Sequence, residues 1–322
     1  GNLGIGYRSL YALQGAGANN ICIGFYSGLA LTTGTTNIAV GYSALDELTT
    51  GEGNVAIGHT ALASADAGES GNVAIGYAAL LALDGAADGT IGIGYGAGTA
   101  ITTGAHNIAI GYQASDSITT GIGNTSIGYQ ALAAEVLGDY STAIGVAALQ
   151  VQTGVDGEVS NTALGYNAGA NVTTGIHNTF VGKRAGGRPD AYGVSTGSYN
   201  TALGSTSGSV NGSGSHSTGN NNTSIGYGAG EKIQGAGHSN TYLGSTTGNV
   251  GTTAVENTCL GYNCEIEDAT ATNQIKKKLS IGEDKLKGVL TMNESYKIRL
   301  NTAMEHYKIS SLAELKQEDQ KP

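Results

Sequence analysis

Arg184, Arg188 and Tyr192 fall within one short, irregular stretch of the chain. Their chemistry suits an anion or a sugar, because guanidinium forks pair bidentately with acidic oxygens and an aromatic ring stacks on a sugar face. They are the expected receptor-binding residues, weighed against the plainer reading of a tolerated surface insertion or a contact to a neighbouring chain. Elsewhere the reactive side chains are scattered. Cys22 and Cys259 occupy a repeated position that is otherwise mostly Ala, and Cys264 follows nearby. They read as small packed hydrophobes, without zinc spacing or a disulfide framework. His59 stands where other copies have Tyr, and His106, His177 and His238 lie in turn sequence. No catalytic triad is fixed by spacing. A carboxylate pair of the glycan-cleaving kind has no defined separation here either. The expectation is a protein that is not an enzyme, with no catalytic residues, no metal ligands and no cofactor.

Charge narrows the partners. The chain of 322 residues carries a formal net charge of −10, and between residues 9 and 182 there is no Lys or Arg. Residues 1–182 set Arg8 against twelve acids. Nothing along that length neutralises phosphates, which excludes a nucleic-acid binder. Asp46, Glu47, Glu52, Asp66, Glu69, Asp84 and Asp88 sit in the variable stretches, where they keep a repetitive β surface soluble. The alternative is divalent-cation binding by neighbouring carboxylates, although they form no Asp-rich calcium loop. No signal peptide or membrane-spanning run is present, so membrane insertion is not expected. Gly1 is not an initiator Met, and the chain reads as a processed product or a fragment.

The elements that position these groups come from one repeated phrase, an aliphatic residue followed by Gly. Its glycines recur from Gly6 to Gly261 in steps of 17 to 22 residues, and a final copy is read at Gly282. Self-similarity at such a period defines a solenoid, and units of this length are too short for helix pairs. The unit is rich in β-formers and lacks 3.6-residue spacing. The reading is therefore an all-β, parallel β-solenoid of about sixteen coils of 17–22 residues. Each coil is expected to hold two or three short strands, one of them around the Thr-Thr-Gly phrase.

Each column of the repeat implies a task. The residue before Gly, as in Ile57, Ile75, Ile110 and Ile127, is expected to fill the core. The glycines, as in Gly58, Gly76, Gly111 and Gly128, imply positive φ or a close backbone approach. Asn four residues before Gly, as in Asn37, Asn54, Asn72, Asn107 and Asn124, is expected to form a hydrogen-bonded amide ladder. Tyr after the Gly, with Ala and Leu shortly beyond, is expected to make an exterior stripe. With 54 Gly, no Trp and two Phe, one coil buries little. Association of several copies along their length is expected, as a homotrimer.

Phrases such as Asn54-Val-Ala-Ile-Gly-His-Thr-Ala-Leu, Asn161-Thr-Ala-Leu-Gly-Tyr-Asn-Ala-Gly and Asn178-Thr-Phe-Val-Gly resemble the head repeats of YadA-type trimeric autotransporter adhesins. They are still more similar to the repeat shafts of phage and phage-derived tail fibres. The resemblance covers roughly residues 1–282 and implies a left-handed parallel β-roll in each of three chains. The longer repeat, the Tyr after Gly and the lack of a stalk or membrane anchor favour the tail-fibre branch. It implies an attachment fibre at a virion or extracellular surface, with a host glycan or protein receptor and other fibre proteins as partners. A bacterial surface adhesin is the first alternative. An ice-binding solenoid, presenting Thr-Thr-Gly hydroxyls, is the second, although that phrase skips copies.

Domain organisation follows from the repeat: a shaft over 1–275, with irregular longer coils at 183–226, and a C-terminal capping and trimerisation segment over 276–322. That segment holds ten of the fifteen basic residues. Ser311 and Glu314 fit a capping box opening a short helix.

Overall fold

The computed structural model describes residues 1–277 apart from 67, 86, 155, 188–194, 209–217, 232–234, 249–252 and 267–271. The chain divides into Gly1–Lys278 and Leu279–Pro322. The second unit, with its capping box and Gly282, lies outside the described residues. The first is a parallel β-solenoid, and no helix occurs among the described residues. Sixteen three-residue strands, from Leu3–Ile5 to Ile275–Lys277, hydrogen-bond in chain order to form one sheet. At about 4.8 Å per step that sheet is about 70 Å long.

Each coil contributes one strand to this sheet rather than two or three. A second, two-stranded pairing joins only Gly138–Asp139 to Gly157–Glu158. The rest of the coil is also laddered, by a different backbone. After each repeat glycine from Gly6 to Gly244 the second and fourth residues take positive φ, as at Ser43 (49°) and Leu45 (53°). Alternate N–H groups consequently point to opposite neighbours. Ser43 N–H donates back to the Phe25 carbonyl (2.9 Å), and Leu45 N–H donates forward to the Ala61 carbonyl (3.1 Å). Left-handed φ costs an ordinary residue about 1 kcal/mol or more, and these bonds between coils hold it in place.

The last coil ends earlier than the sequence implies. Ile275, Lys276 and Lys277 pair with Thr258, Cys259 and Leu260. Gln274 donates its N–H to Asn257 Oδ1 at 2.8 Å, where other coils use Asn. The sixteenth strand therefore precedes Gly282, and the final step keeps the ordinary spacing.

The core column is also displaced from its expected place. Ile57 is 38% exposed, and Ile75, Ile110 and Ile127 are partly exposed. Strand side chains alternate between faces. The middle residue of each strand points inward, and Ala39, Ala56, Ala74 and Ala109 are fully buried. Opposite them pack Ala44, Leu45, Ala61 and Leu62, with Leu31, Leu48, Leu83, Ile101 and Ile118 closing the interior. The Ala and Leu of the expected exterior stripe thus belong to the core, and only its aromatic residue lies outside.

Candidate functional site

The outward side of the sheet is the most extensive candidate surface. Three columns face out: the first and third strand residues and the aromatic residue after the glycine. The glycine makes the junction possible. Gly76 has φ +135°, and a Cβ there would lie 2.7 Å from the carbonyl carbon of Gly94. Both reasons inferred for the column, positive φ and close approach, hold at this position.

The aromatic column is stacked. Tyr77 and Tyr95 have ring centroids 5.0 Å apart and planes 8° apart; Tyr95–Tyr112 and Tyr112–Tyr129 are both 5.3 Å apart. His59 is inserted in the same stack, 4.9 Å from Tyr42 and 5.2 Å from Tyr77. The rings cover one another's faces and present edges and hydroxyls outward; Tyr95 is 51% exposed. Beside them run Ile38 and Val40, Val55 and Ile57, Val73 and Ile75, and their counterparts in each coil. From Leu3 to Tyr166 these three columns contain no Lys, Arg, Asp or Glu. From Thr125 onward the first strand residue becomes Thr, giving an in-register row through Thr142, Thr162, Thr179, Thr201, Thr223, Thr241 and Thr258. Sequence periodicity held this row, but assigning it to a surface required the strand register.

The amide column lies at the edge of the sheet and, apart from the exposed Asn2 and the part-buried Asn200, is buried. Asn37 Nδ2 donates to Asn20 Oδ1 (3.2 Å) and to the Gly51 carbonyl (2.8 Å), and Asn37 N–H donates to the same Asn20 Oδ1 (2.9 Å). Asn54 repeats the pattern on Asn37, while Asn72 N–H donates to Asn54 Oδ1 at 3.0 Å. Thr90 and Ser141 interrupt the amides, yet their N–H groups still reach Asn72 and Asn124 at 2.8 Å. Asn107 Nδ2 turns instead to the Gly104 and Gly121 carbonyls.

Of the expected receptor-binding residues, Arg184 is partly buried at a left-handed position (φ 58°). Its N–H donates to the Tyr166 carbonyl at 2.8 Å. Lys183, at the aromatic position, is exposed. Arg188 and Tyr192 lie outside the described residues. Nearby, a cavity of about 30 Å³ borders Phe180, Gly186, Ala202 and Gly208, room for about one water.

Two carboxylate groupings appear whose members the sequence did not bring together. Asp66, Glu69 and Asp84 each offer an oxygen within 4.8 Å of the others, with Glu69 buried. Glu135 occupies a core position that is Leu31, Leu48, Ile101 or Ile118 in other coils, and it is fully buried. Its Oε1 accepts from the N–H groups of Val136, Leu137 and Gly138, and its Oε2 from Gln152 Nε2 (2.7 Å) and Gly154 N–H (2.9 Å). Five donors account for a carboxylate in an apolar column; its role is to hold the turn. Burial pushes the carboxyl groups of Asp46 and Asp116 above their usual range.

In comparisons with known proteins, no family model matches the chain and no curated protein matches it.

Proposed function

We propose that this chain is the rigid shaft of an attachment fibre, assembled as a homotrimer through its exposed sheet face and serving adhesion to a host surface. The uncharged stripe of aliphatic and aromatic columns from Leu3 to Tyr166 carries this reading. Monomeric soluble proteins rarely leave so long an apolar face open to water. The thin interior, built largely of Ala and Leu, supports the need for burial between chains. The family resemblance in the repeat supports a virion or phage-like particle as the setting. Receptor contact is assigned to the stretch of residues 183–192, where basic side chains return to the chain.

Sedimentation of the full chain tests the assembly. A particle of three times the 32.2 kDa chain mass is expected, and a monomer at micromolar concentration would overturn the shared interface. Immunogold labelling with an antibody against residues 183–192 tests the setting: label on released particles supports a fibre, and label confined to cell envelopes refutes it.

One observation favours a second reading. The row from Thr125 to Thr258 presents hydroxyls at every coil of a parallel sheet, without the skipped copies of the Thr-Thr-Gly phrase. An ice-binding face is built this way in principle. Thermal hysteresis that disappears in Thr179→Lys would support it, and absence of hysteresis in the native chain would remove it.

A further inference from the structure

We infer that Cys259 and Cys264 form a paired dithiol that closes to an intrachain disulfide across one coil near the C-terminal end of the solenoid. The two residues occupy columns that face each other within a coil: the middle strand residue and the third residue after the glycine. Three other coils show that these columns touch. A Cβ built on Gly4 would lie 3.4 Å from Ser9 Oγ, and one built on Gly92 would lie 3.0 Å from the Ala97 carbonyl oxygen. Cys22 interacts directly with Ser27. Many coils fill both columns with Ala, as in Ala39 with Ala44 and Ala143 with Ala148. Only at Cys259 and Cys264 does the sequence place thiols in both.

The two thiols interact directly with one another, and both are buried and unoxidised. Cys259 stands in the ladder between Tyr242 and Lys276. Burial pushes its thiol up to about 12, which keeps it protonated and makes it the slower nucleophile. Cys264 also borders a cleft of about 300 Å³ with Asn263, Glu265, Lys276 and Lys277. It is therefore the point of entry.

The oxidant is a low-molecular-weight disulfide. Cys264 gives its proton to solvent, and its thiolate attacks one sulfur of that disulfide. A mixed disulfide forms and one small thiolate leaves. Cys259 then gives up its proton and attacks Cys264 Sγ; the Cys259–Cys264 bond forms and the second small thiolate leaves. Two protein thiols are oxidised and one external disulfide is reduced to two thiols. A bond here ties a strand to its own turn. Cys22, facing Ser27, has no partner for the same reaction.

The test equilibrates the folded full chain with graded ratios of oxidised to reduced glutathione, followed by acid quench, alkylation and tryptic mapping of the peptide covering 233–276. The expected product lacks two hydrogens and carries no alkyl group. It should appear at a glutathione ratio at least about tenfold more reducing than the guanidinium-unfolded chain requires. Equal ratios for the folded and unfolded chains would overturn the pairing, as would a persistent glutathione adduct on Cys264 or full alkylation of both thiols at every ratio. In Cys264→Ser, Cys259 should stay free of glutathione, and an adduct there at the native rate would overturn the order of attack.

Discussion

At Gly186 the backbone φ is +66°, a conformation that invites the usual explanation for glycine. Yet Leu45, Leu62 and Leu80 occupy the same column at φ 53°, 50° and 49°. The difference is volume. Phe180 replaces the inward Ala of its strand, and a Cβ on Gly186 would lie 2.6 Å from Phe180 Cγ. Tyr242 and Gly248 repeat the exchange, again at 2.6 Å. Gly186→Ala should cost about 1–3 kcal/mol of stability through overpacking. Adding Phe180→Ala should recover part of that loss in a double-mutant cycle read by urea unfolding; simple additivity would refute the steric coupling. Gly76→Ala is a different case, since both φ and the neighbouring carbonyl oppose it, and a loss of about 3 kcal/mol or more is expected.

Asp46 supplies a prediction in pH at the same scale. Its carboxyl is raised above the usual value chiefly by burial, with a smaller opposing contribution from a hydrogen bond to Ser43. The folded state therefore binds the proton more tightly than the unfolded chain does. The group is least costly at pH values below its ordinary range, and stability falls as pH rises through the folded value. Asp46→Asn should raise the melting temperature at neutral pH and leave it nearly unchanged in acid; an equal shift at both would contradict the assignment.

At the scale of the coil, the asparagine ladder and the alternating backbone do the work that side-chain packing does in thicker proteins. Asn37 Oδ1 accepts from both Asn54 N–H (3.0 Å) and Asn54 Nδ2 (3.1 Å), while Asn37 Nδ2 satisfies the Gly51 carbonyl. Asn37→Ala strands these buried groups and should cost about 2–4 kcal/mol. Asn37→Ser should cost less, since Ser141 occupies the same column and its Oγ accepts from the Asn161 N–H of the next coil (3.4 Å). Chemical denaturation of the two variants would decide it: equal losses would show that the hydroxyl does not replace the amide acceptor. This column was legible from sequence because an amide recurring at one position has few other uses.

For the whole molecule, the consequential surface is the outer sheet face. Tyr95→Lys with Tyr112→Lys places charge where rings now stack 5.3 Å apart. Neither side chain enters the core, so the circular dichroism spectrum should persist while sedimentation of the proposed homotrimer shifts to the monomer. A variant that remains trimeric would exclude this face as the interface. The twelve acids over residues 1–182 all lie off these columns; on the face they would repel their own copies one coil away.

The chain's periodicity was enough to establish a parallel β-solenoid, because a short repeated unit with a conformationally demanding glycine has few ways to bury its backbone polar groups. It also placed the amide ladder. It left undecided which side of each strand faces in, since a three-residue strand of Val-Ala-Ile offers apolar side chains to both faces. Composition favoured Ile57 as the core residue; the narrow interior admits the smaller Ala56 instead, and the tertiary structure turns Ile57 outward. The same holds for Ala and Leu beyond the Tyr, which a linear reading groups with the aromatic residue and the left-handed turn folds inward. The opposition of Cys259 and Cys264 likewise depends on that turn, because only the closed coil brings the two columns into contact.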